Sequence, residues 1–112
     1  VNCDFSNSKF INVKFINCSN KYNNFSEIDG TNILFEISTM IGTYFYRSKI
    51  DNFKIDKVNF SDSDFLQSKF IEADFSSSDL SDCRLDFQTA KGCKFNTNQG
   101  IAILKMLGIE II

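Results

Sequence analysis

The sequence contains no histidine, and proline and tryptophan are also missing. Without histidine, the chain lacks the most common general base and metal ligand, and a Ser-His-Asp triad cannot form. No run of apolar residues approaches the ~18 that a membrane-spanning helix needs. We therefore expect no enzyme, no cofactor, no metal site and no membrane partner.

Acidic and basic residues are nearly balanced, and the net charge is only −2. So small an imbalance gives no reason to expect direct binding of nucleic acid or of a membrane surface. The charge is unevenly distributed, however. Residues 58–86 hold seven acidic and two basic residues, which predicts an acidic belt on an otherwise balanced protein.

The feature that is present in excess is phenylalanine, which occurs 13 times and follows a strict spacing. A large apolar residue stands at every fifth position from 5 to 95, and among these 19 positions only Asn20, Gly30 and Ala90 depart from the rule. A helix repeats every 3.6 residues and a flat strand every two, so neither explains a period of five. The period instead indicates a repeat architecture.

The position two residues before each large residue is equally regular. In 14 of 19 cases it carries Cys, Ser, Thr, Ala or Val. We interpret each repeat as a short extended segment that points one large and one small side chain inward, followed by a turn. Such a unit buries too little surface alone, so consecutive units must stack in one unbroken array.

All four cysteines fall in this column of small residues, at Cys3, Cys18, Cys83 and Cys93. A buried cysteine there behaves as a compact apolar residue, and the sequence has no CxxC spacing. We therefore predict structural thiols, without disulfides, as is usual in a reducing cytoplasm.

Residues 58–85, VNFSDSDFLQSKFIEADFSSSDLSDCRL, resemble the A(D/N)Lxx signature of the pentapeptide-repeat family. The resemblance implies an all-β fold, namely a right-handed quadrilateral β-helix with four pentapeptides per coil. The array would make a little under five coils and form a repeat domain over residues 1–96.

The pattern stops after Phe95, and residues 97–112 are predicted to form a separate capping and dimerisation tail. Asn96, Thr97 and Asn98 are good helix N-caps, residues 100–107 favour a short helix, and Gly108 suits a left-handed C-terminal residue. The tail is too apolar for one coil edge to cover. A two-fold homodimer is the simplest closed arrangement, with an interface formed by Ile101, Leu104, Leu107, Ile109 and Ile111.

Residues 91–112, KGCKFNTNQGIAILKMLGIEII, resemble the C-terminal tail of the Qnr quinolone-resistance proteins, a subgroup of the pentapeptide-repeat family. The resemblance rests on Gln99, Leu104, Leu107, Gly108 and Ile109. It implies a tail-to-tail homodimer that binds DNA gyrase or topoisomerase IV, protects it from quinolones and imitates a DNA duplex.

Two groups of outward residues are candidates for a partner surface. Asp62 and Asp82 should stack one coil apart, with Asp79 beside them and Asp64 around the corner. Like charges so placed repel, which suggests a cationic partner, although a solvated face screened by salt is the alternative. The second group should share one face as an apolar patch or as scattered surface aromatics, and comprises Tyr44, Tyr46, Leu66 and Phe87.

Three functions are consistent with these patterns. The first is a bacterial, cytoplasmic, homodimeric binding protein that contacts a type II topoisomerase. The second is a structural or scaffolding solenoid with an unrelated protein partner. The third is the substrate-binding β-helix of a larger secreted effector or ligase, which the apolar ending disfavours.

Overall fold

The chain builds short extended segments that alternate with tight turns, as the five-residue spacing predicts. A computed structural model describes residues 3–112. Four strands lie in it in chain order: β1 (Lys9–Ile16), β2 (Asp29–Glu36), β3 (Lys49–Asp56) and β4 (Lys69–Phe70). Two helices follow, α1 (Phe87–Ala90) and α2 (Thr97–Met106).

Each strand pairs in parallel with the one that follows it, in the order β1-β2-β3-β4, and every paired residue lies twenty positions from its partner. The sheet is the continuous wall of a β-solenoid and spans about three turns. Isolated bridges extend the same twenty-residue step from Asp4↔Asn24 at one end to Asp74↔Lys94 at the other. The predicted solenoid and its register are therefore confirmed.

The isolated bridges define two sides of the solenoid. The side that we call face 1 carries the rungs Asp4, Asn24, Tyr44, Asp64 and Arg84. The side that we call face 4 carries the rungs Ser19, Thr39, Asn59 and Asp79. Strands β1 to β4 form the wall between these two faces.

Phenylalanine rings fill the interior. Along face 1, the rings of Phe5, Phe25, Phe45 and Phe65 stack with centroid separations of 4.9, 5.3 and 5.3 Å. Phe53, which stands in the small column, is also buried and packs edge-on against Phe70 at 5.3 Å. The core is thus a continuous aromatic stack rather than a set of separate layers.

The turns require left-handed backbone at every fifth residue, a feature that the sequence analysis missed. From Asn7 to Asp82 each corner has a φ between +46° and +65°, except at position 77. Asparagine tolerates this conformation better than most residues, which explains Asn at corners 7, 12, 17, 32 and 52. The β-branched Ile37, with a φ of +46°, is the most strained.

The small column is polar for a reason other than size. The Ser63 hydroxyl accepts a hydrogen bond from Thr43 N–H at 3.0 Å and donates one to the carbonyl of Met40 at 3.1 Å. Ser48 bonds in the same way, accepting from Ile28 N–H at 3.3 Å and donating to the Phe25 carbonyl at 2.6 Å. These side chains satisfy backbone groups that the corners would leave buried and unpaired.

One pentapeptide departs from the predicted unbroken array. Residues 87–90 form the single turn α1 instead of an extended segment, because Asp86 accepts from the backbone N–H of both Thr89 and Gln67 at 2.8 Å. As a result Thr89, not Gln88, takes the inward position and donates to the Phe65 carbonyl at 2.7 Å. The register recovers at once, since Asp74 still pairs with Lys94.

The C-terminal helix is longer than predicted, since α2 begins at Thr97 rather than near residue 100. Asn96 and Gln99 form a reciprocal capping box, which stabilises the first turn. Gly108 adopts a φ of +83° just after the helix, as its position predicted. None of the described helices is long and apolar enough to span a membrane.

Candidate partner-binding surfaces

Three of the predicted acidic residues and one of the tyrosines meet in a shallow pocket of about 210 Å³. Its charged and aromatic lining, which we call the face-1 cluster, consists of Tyr44, Asp62, Asp64, Asp82 and Arg84. Twenty-residue spacing accounts for the arrangement, because Tyr44, Asp64 and Arg84 are successive rungs of face 1. Arg84 was not among the residues predicted from the sequence, although its position one coil after Asp64 places it on the same face.

The carboxylates of this cluster also have structural reasons for their positions. Asp62 and Asp82 occupy left-handed corners with φ values of +60° and +56°, where a short polar residue is favoured. Asp64 accepts a hydrogen bond from Leu66 N–H at 2.8 Å and so closes the following turn. The negative field of the pocket is therefore partly a consequence of the repeat, and Arg84 offsets some of it.

Tyr46 and Leu66 lie beside the cluster on face 1, and both are half-buried. The Arg47 guanidinium sits 5.3 Å from the centre of the Tyr46 ring, a distance at which a cation is attracted to the ring face. Tyr44 is more open, with 54% of its surface exposed. Face 1 thus combines exposed aromatic surface with charges of both signs.

Asp79 does not line this pocket, because its rung belongs to face 4. It lines a different groove of about 400 Å³ between face 4 and α2, together with Gln99 and Met106. The Ser81 hydroxyl, at 2.6 Å, and the Ser81 N–H, at 2.8 Å, donate to its carboxylate and lower its pKa from the ordinary value. That Asp79 and Asp82 form one partner surface stays a prediction.

The C-terminal end carries a group of exposed apolar residues. Helix α2 buries Ile103 against the last coil, and Gln99 donates from its amide to the carbonyls of Phe75 and Ser78, both at 2.8 Å. The opposite side remains open. Between 36% and 47% of each side chain is exposed in the residues that we call the C-terminal apolar surface, Ile101, Leu104, Leu107, Ile109 and Ile111.

A groove of about 350 Å³ adjoins this surface between α1 and α2. Its walls include Phe87, Phe95, Leu104 and Leu107, with Lys91 as the only charged residue. Phe87 is 67% exposed because it begins α1 at a corner, where its ring points away from the core. Phe87 therefore belongs with the C-terminal end rather than with the face-1 cluster.

The thiols lie in the small column, as the sequence predicted, but differ in burial. Cys83 is buried and Cys18 and Cys93 are half-buried, whereas Cys3 is exposed. Burial raises the pKa of the Cys83 thiol to about 12 and that of Cys93 to about 11. Within residues 3–112, no group of three or more His, Cys, Asp or Glu side chains is arranged to hold a metal ion.

Comparison with known proteins supports the repeat. Residues 55–86 match the family described as "Pentapeptide repeats (8 copies)", and the twenty-residue register continues on both sides of that stretch. No curated protein matches the sequence.

Among solved structures, the chain is similar to QnrB1, described as a plasmid-mediated fluoroquinolone resistance protein. Two trypsin-treated forms are each 18% identical, with TM-scores of 0.35 and 0.37, and the alignments cover 98% of this chain and 68% and 66% of theirs. The full-length form is 14% identical, with a TM-score of 0.30 and coverages of 96% and 86%. At these values the similarity says nothing about what this chain binds.

Proposed function

We propose that this protein is a non-catalytic, protein-binding solenoid, that it works as a homodimer, and that its partner is a type II topoisomerase, DNA gyrase or topoisomerase IV. The observation that carries the proposal is the uncovered C-terminal apolar surface beside a face that concentrates charge and aromatic rings. The interior is filled by phenylalanine rings, so any interaction must use the outer faces.

The homodimer is supported by α2, which buries one apolar residue against the last coil and leaves others exposed. Only Ile103 is buried against the coil, while Leu104 and Leu107 line the open groove next to α1. An exposed apolar patch of this kind marks an interaction site. A second copy, related by a two-fold axis, would place the same patch opposite itself and cover both.

The partner surface is supported by the face-1 cluster. Three carboxylates and one guanidinium surround the exposed ring of Tyr44, and aromatic residues with arginine are typical of binding hot spots. The net negative charge favours a partner that presents basic residues, such as a protein surface that binds DNA. The choice of a topoisomerase is supported by the resemblance of residues 91–112 to the Qnr tail.

A supercoiling assay tests this function. Purified gyrase is inhibited with a quinolone, and the chain is titrated in; topoisomerase IV decatenation is measured in parallel. We expect supercoiling to recover in the presence of the chain. If neither enzyme responds, with or without the drug, the topoisomerase proposal is wrong and a scaffolding role with another protein partner replaces it.

Two matched double variants test whether the face-1 cluster contacts the topoisomerase. Asp62→Asn with Asp82→Asn keeps residues that tolerate left-handed corners but removes two charges, so its effect on gyrase should be several-fold weaker. Asp51→Asn with Asp56→Asn removes the same charge from β3 and should behave as the parent. Equal behaviour of the two pairs would exclude the face-1 cluster from the interface.

A further inference from the structure

A thioether sulfur takes the place of a backbone carbonyl in the last coil. In each earlier coil the large residue of face 1 donates its N–H to the carbonyl nineteen residues later, as Phe65 does to Arg84 at 2.9 Å. The corresponding donor in the last coil is Leu85, but residue 104 belongs to α2 and not to another extended segment. Leu85 N–H donates instead to Met106 Sδ, at 3.3 Å.

This bond holds the last turn of α2 to the solenoid. The first turn is held by Gln99, whose amide donates to two carbonyls of the preceding coil, and the middle is held by the buried side chain of Ile103. Among the residues that the structure describes, Met106 is the one residue after Ile103 that forms a hydrogen bond to the coil. Because a thioether is a weak acceptor, a chemical change at the sulfur acts directly on this contact.

Met106 is also open to small oxidants, whereas the other methionine of the chain is not. Met106 is 45% exposed and lines the groove between face 4 and α2, while Met40 lies in the core with 0% exposure. The proposed dimer would not cover Met106, because Leu104 and Leu107 lie on the side of α2 that faces the groove next to α1. One sulfur is therefore exposed and engaged in a structural bond at the same time.

We propose that Met106 is an oxidation site for hydrogen peroxide, and that its sulfoxide releases the last turn of α2 from the solenoid. One lone pair of the sulfur accepts the Leu85 N–H, so the peroxide reacts at the other. An S–O bond forms as the O–O bond breaks, the sulfur is oxidised by two electrons, and the second peroxide oxygen leaves as water.

The product no longer suits the contact. A sulfoxide is polar and chiral, its sulfur is electron-poor and accepts the Leu85 N–H weakly, and its new oxygen favours water over the coil. Since α2 also carries Leu104 and Leu107, its release would change the C-terminal apolar surface. The inference rests on the contact between Met106 and Leu85 and does not depend on the proposed dimer or its partner.

Peroxide treatment of the folded chain tests the site. By mass spectrometry, Met106 should be converted completely before Met40 reacts. In the oxidised chain the Leu85 amide should exchange with solvent roughly tenfold faster by NMR, the factor that one net hydrogen bond supplies, and Tm should fall by roughly 4–8 °C. Equal oxidation of the two methionines, or unchanged or slower exchange at Leu85, would overturn the proposal.

The variant Met106→Leu is the matched control. Leucine has a similar volume but offers no acceptor, and the variant keeps all four cysteines. Without peroxide, its Leu85 amide should already exchange roughly tenfold faster than in the parent, and peroxide should change neither this rate nor Tm. A response of this variant to peroxide would assign the effect to the thiols, and parent-like exchange before treatment would show that the sulfur does not hold Leu85.

The configuration of the sulfoxide gives a readout that exposure alone would not move. Each of the two methionine sulfoxide reductases reduces one sulfoxide epimer, so treating digested protein with each enzyme measures both epimers. The folded chain should give mainly one epimer at Met106, because Leu85 N–H shields one lone pair, and the chain oxidised in urea should give near-equal amounts. The same ratio in both samples would contradict the proposed bond.

Discussion

Replacing Phe65 with alanine removes a ring that contacts four others. Phe65 is fully buried, and its ring centroid lies 5.3 Å from that of Phe45, 5.4 Å from Phe60, 5.6 Å from Phe75 and 5.7 Å from Phe70. The stacked coils above and below cannot collapse into the space without breaking their backbone ladder. Phe65→Ala should therefore lower the free energy of unfolding by about 3–5 kcal/mol.

Two further variants, Phe5→Ala and Asp64→Ala, serve as comparisons for this loss of stability. Phe5 is the same residue type in the same column, but it is half-buried, and among residues 3–112 its ring contacts those of Phe10 and Phe25, so Phe5→Ala should cost clearly less than Phe65→Ala. Asp64→Ala, one residue before Phe65, loses the turn bond to Leu66 N–H and should cost under about 1 kcal/mol.

Urea denaturation followed by far-UV circular dichroism measures all three variants. The experiment must use one protein concentration throughout, because a dimer links stability to concentration. Unchanged m-values with ordered midpoints would show that the cavity, not a change in the denatured state, causes the loss. Comparable losses at Asp64 and Phe65 would refute the five-residue register.

Four further predictions follow from the corners, thiols, turns and tail. Ile37→Asn should stabilise the protein by about 1 kcal/mol in urea melts, because Ile37 holds a left-handed φ while 53% exposed; a loss of stability would show that the corner is not strained. At neutral pH Cys83 should react with a maleimide at least ~100-fold more slowly in the folded than in the unfolded chain, since its raised pKa leaves almost no thiolate; equal rates by mass spectrometry would contradict its burial. Hydrogen bonds from serine hydroxyls and backbone N–H groups lower the pKa of Asp74 and Asp79 in the folded state. The stabilisation that these two carboxylates supply is therefore present above their unfolded pKa of about 4 and is lost as the pH falls through their lower folded pKa. The double variant Asp74→Asn, Asp79→Asn should therefore lose less Tm than the parent between pH 5 and pH 2, and an identical acid loss would exclude these two groups. Leu104→Lys with Leu107→Lys should give monomers in light scattering, because it would bury unpaired charges at the proposed dimer seam, and an unchanged dimer would exclude α2 from that seam.

The five-residue spacing of Phe and Leu predicted a stack of short repeats, because one such unit buries too little surface alone. The resemblance to the pentapeptide-repeat family implied that this stack is a β-solenoid. Gly108 predicted where the last helix ends, whereas the helix begins at Thr97, directly after its cap Asn96, rather than near residue 100. The α1 turn was not predicted, although Gln88 departs from the small column and Ala90 departs from the large column. What decides the turn is Asp86, whose carboxylate reaches Gln67 N–H on the previous coil.

The surfaces were less predictable than the core. Spacing predicted that Asp62 and Asp82 stack and that Asp64 lies around the corner. It assigned Tyr44 to a separate apolar group, although Tyr44 and Asp64 are successive rungs of face 1. The residues of the small column were predicted from the sequence to be selected for their small size, and their polarity was not explained. Its hydroxyls bond to carbonyls of the preceding coil, as Ser48 does with Phe25, and such a bond is apparent only when the coils are stacked.

Sedimentation velocity of the chain, alone and mixed with purified DNA gyrase, tests the proposed function most directly. We predict that the free chain sediments at micromolar concentration as a species of twice the mass of one chain, and that it co-sediments with gyrase in the mixture. A free chain that sediments as a monomer and remains separate from gyrase in the mixture would contradict both the homodimer and the topoisomerase partner.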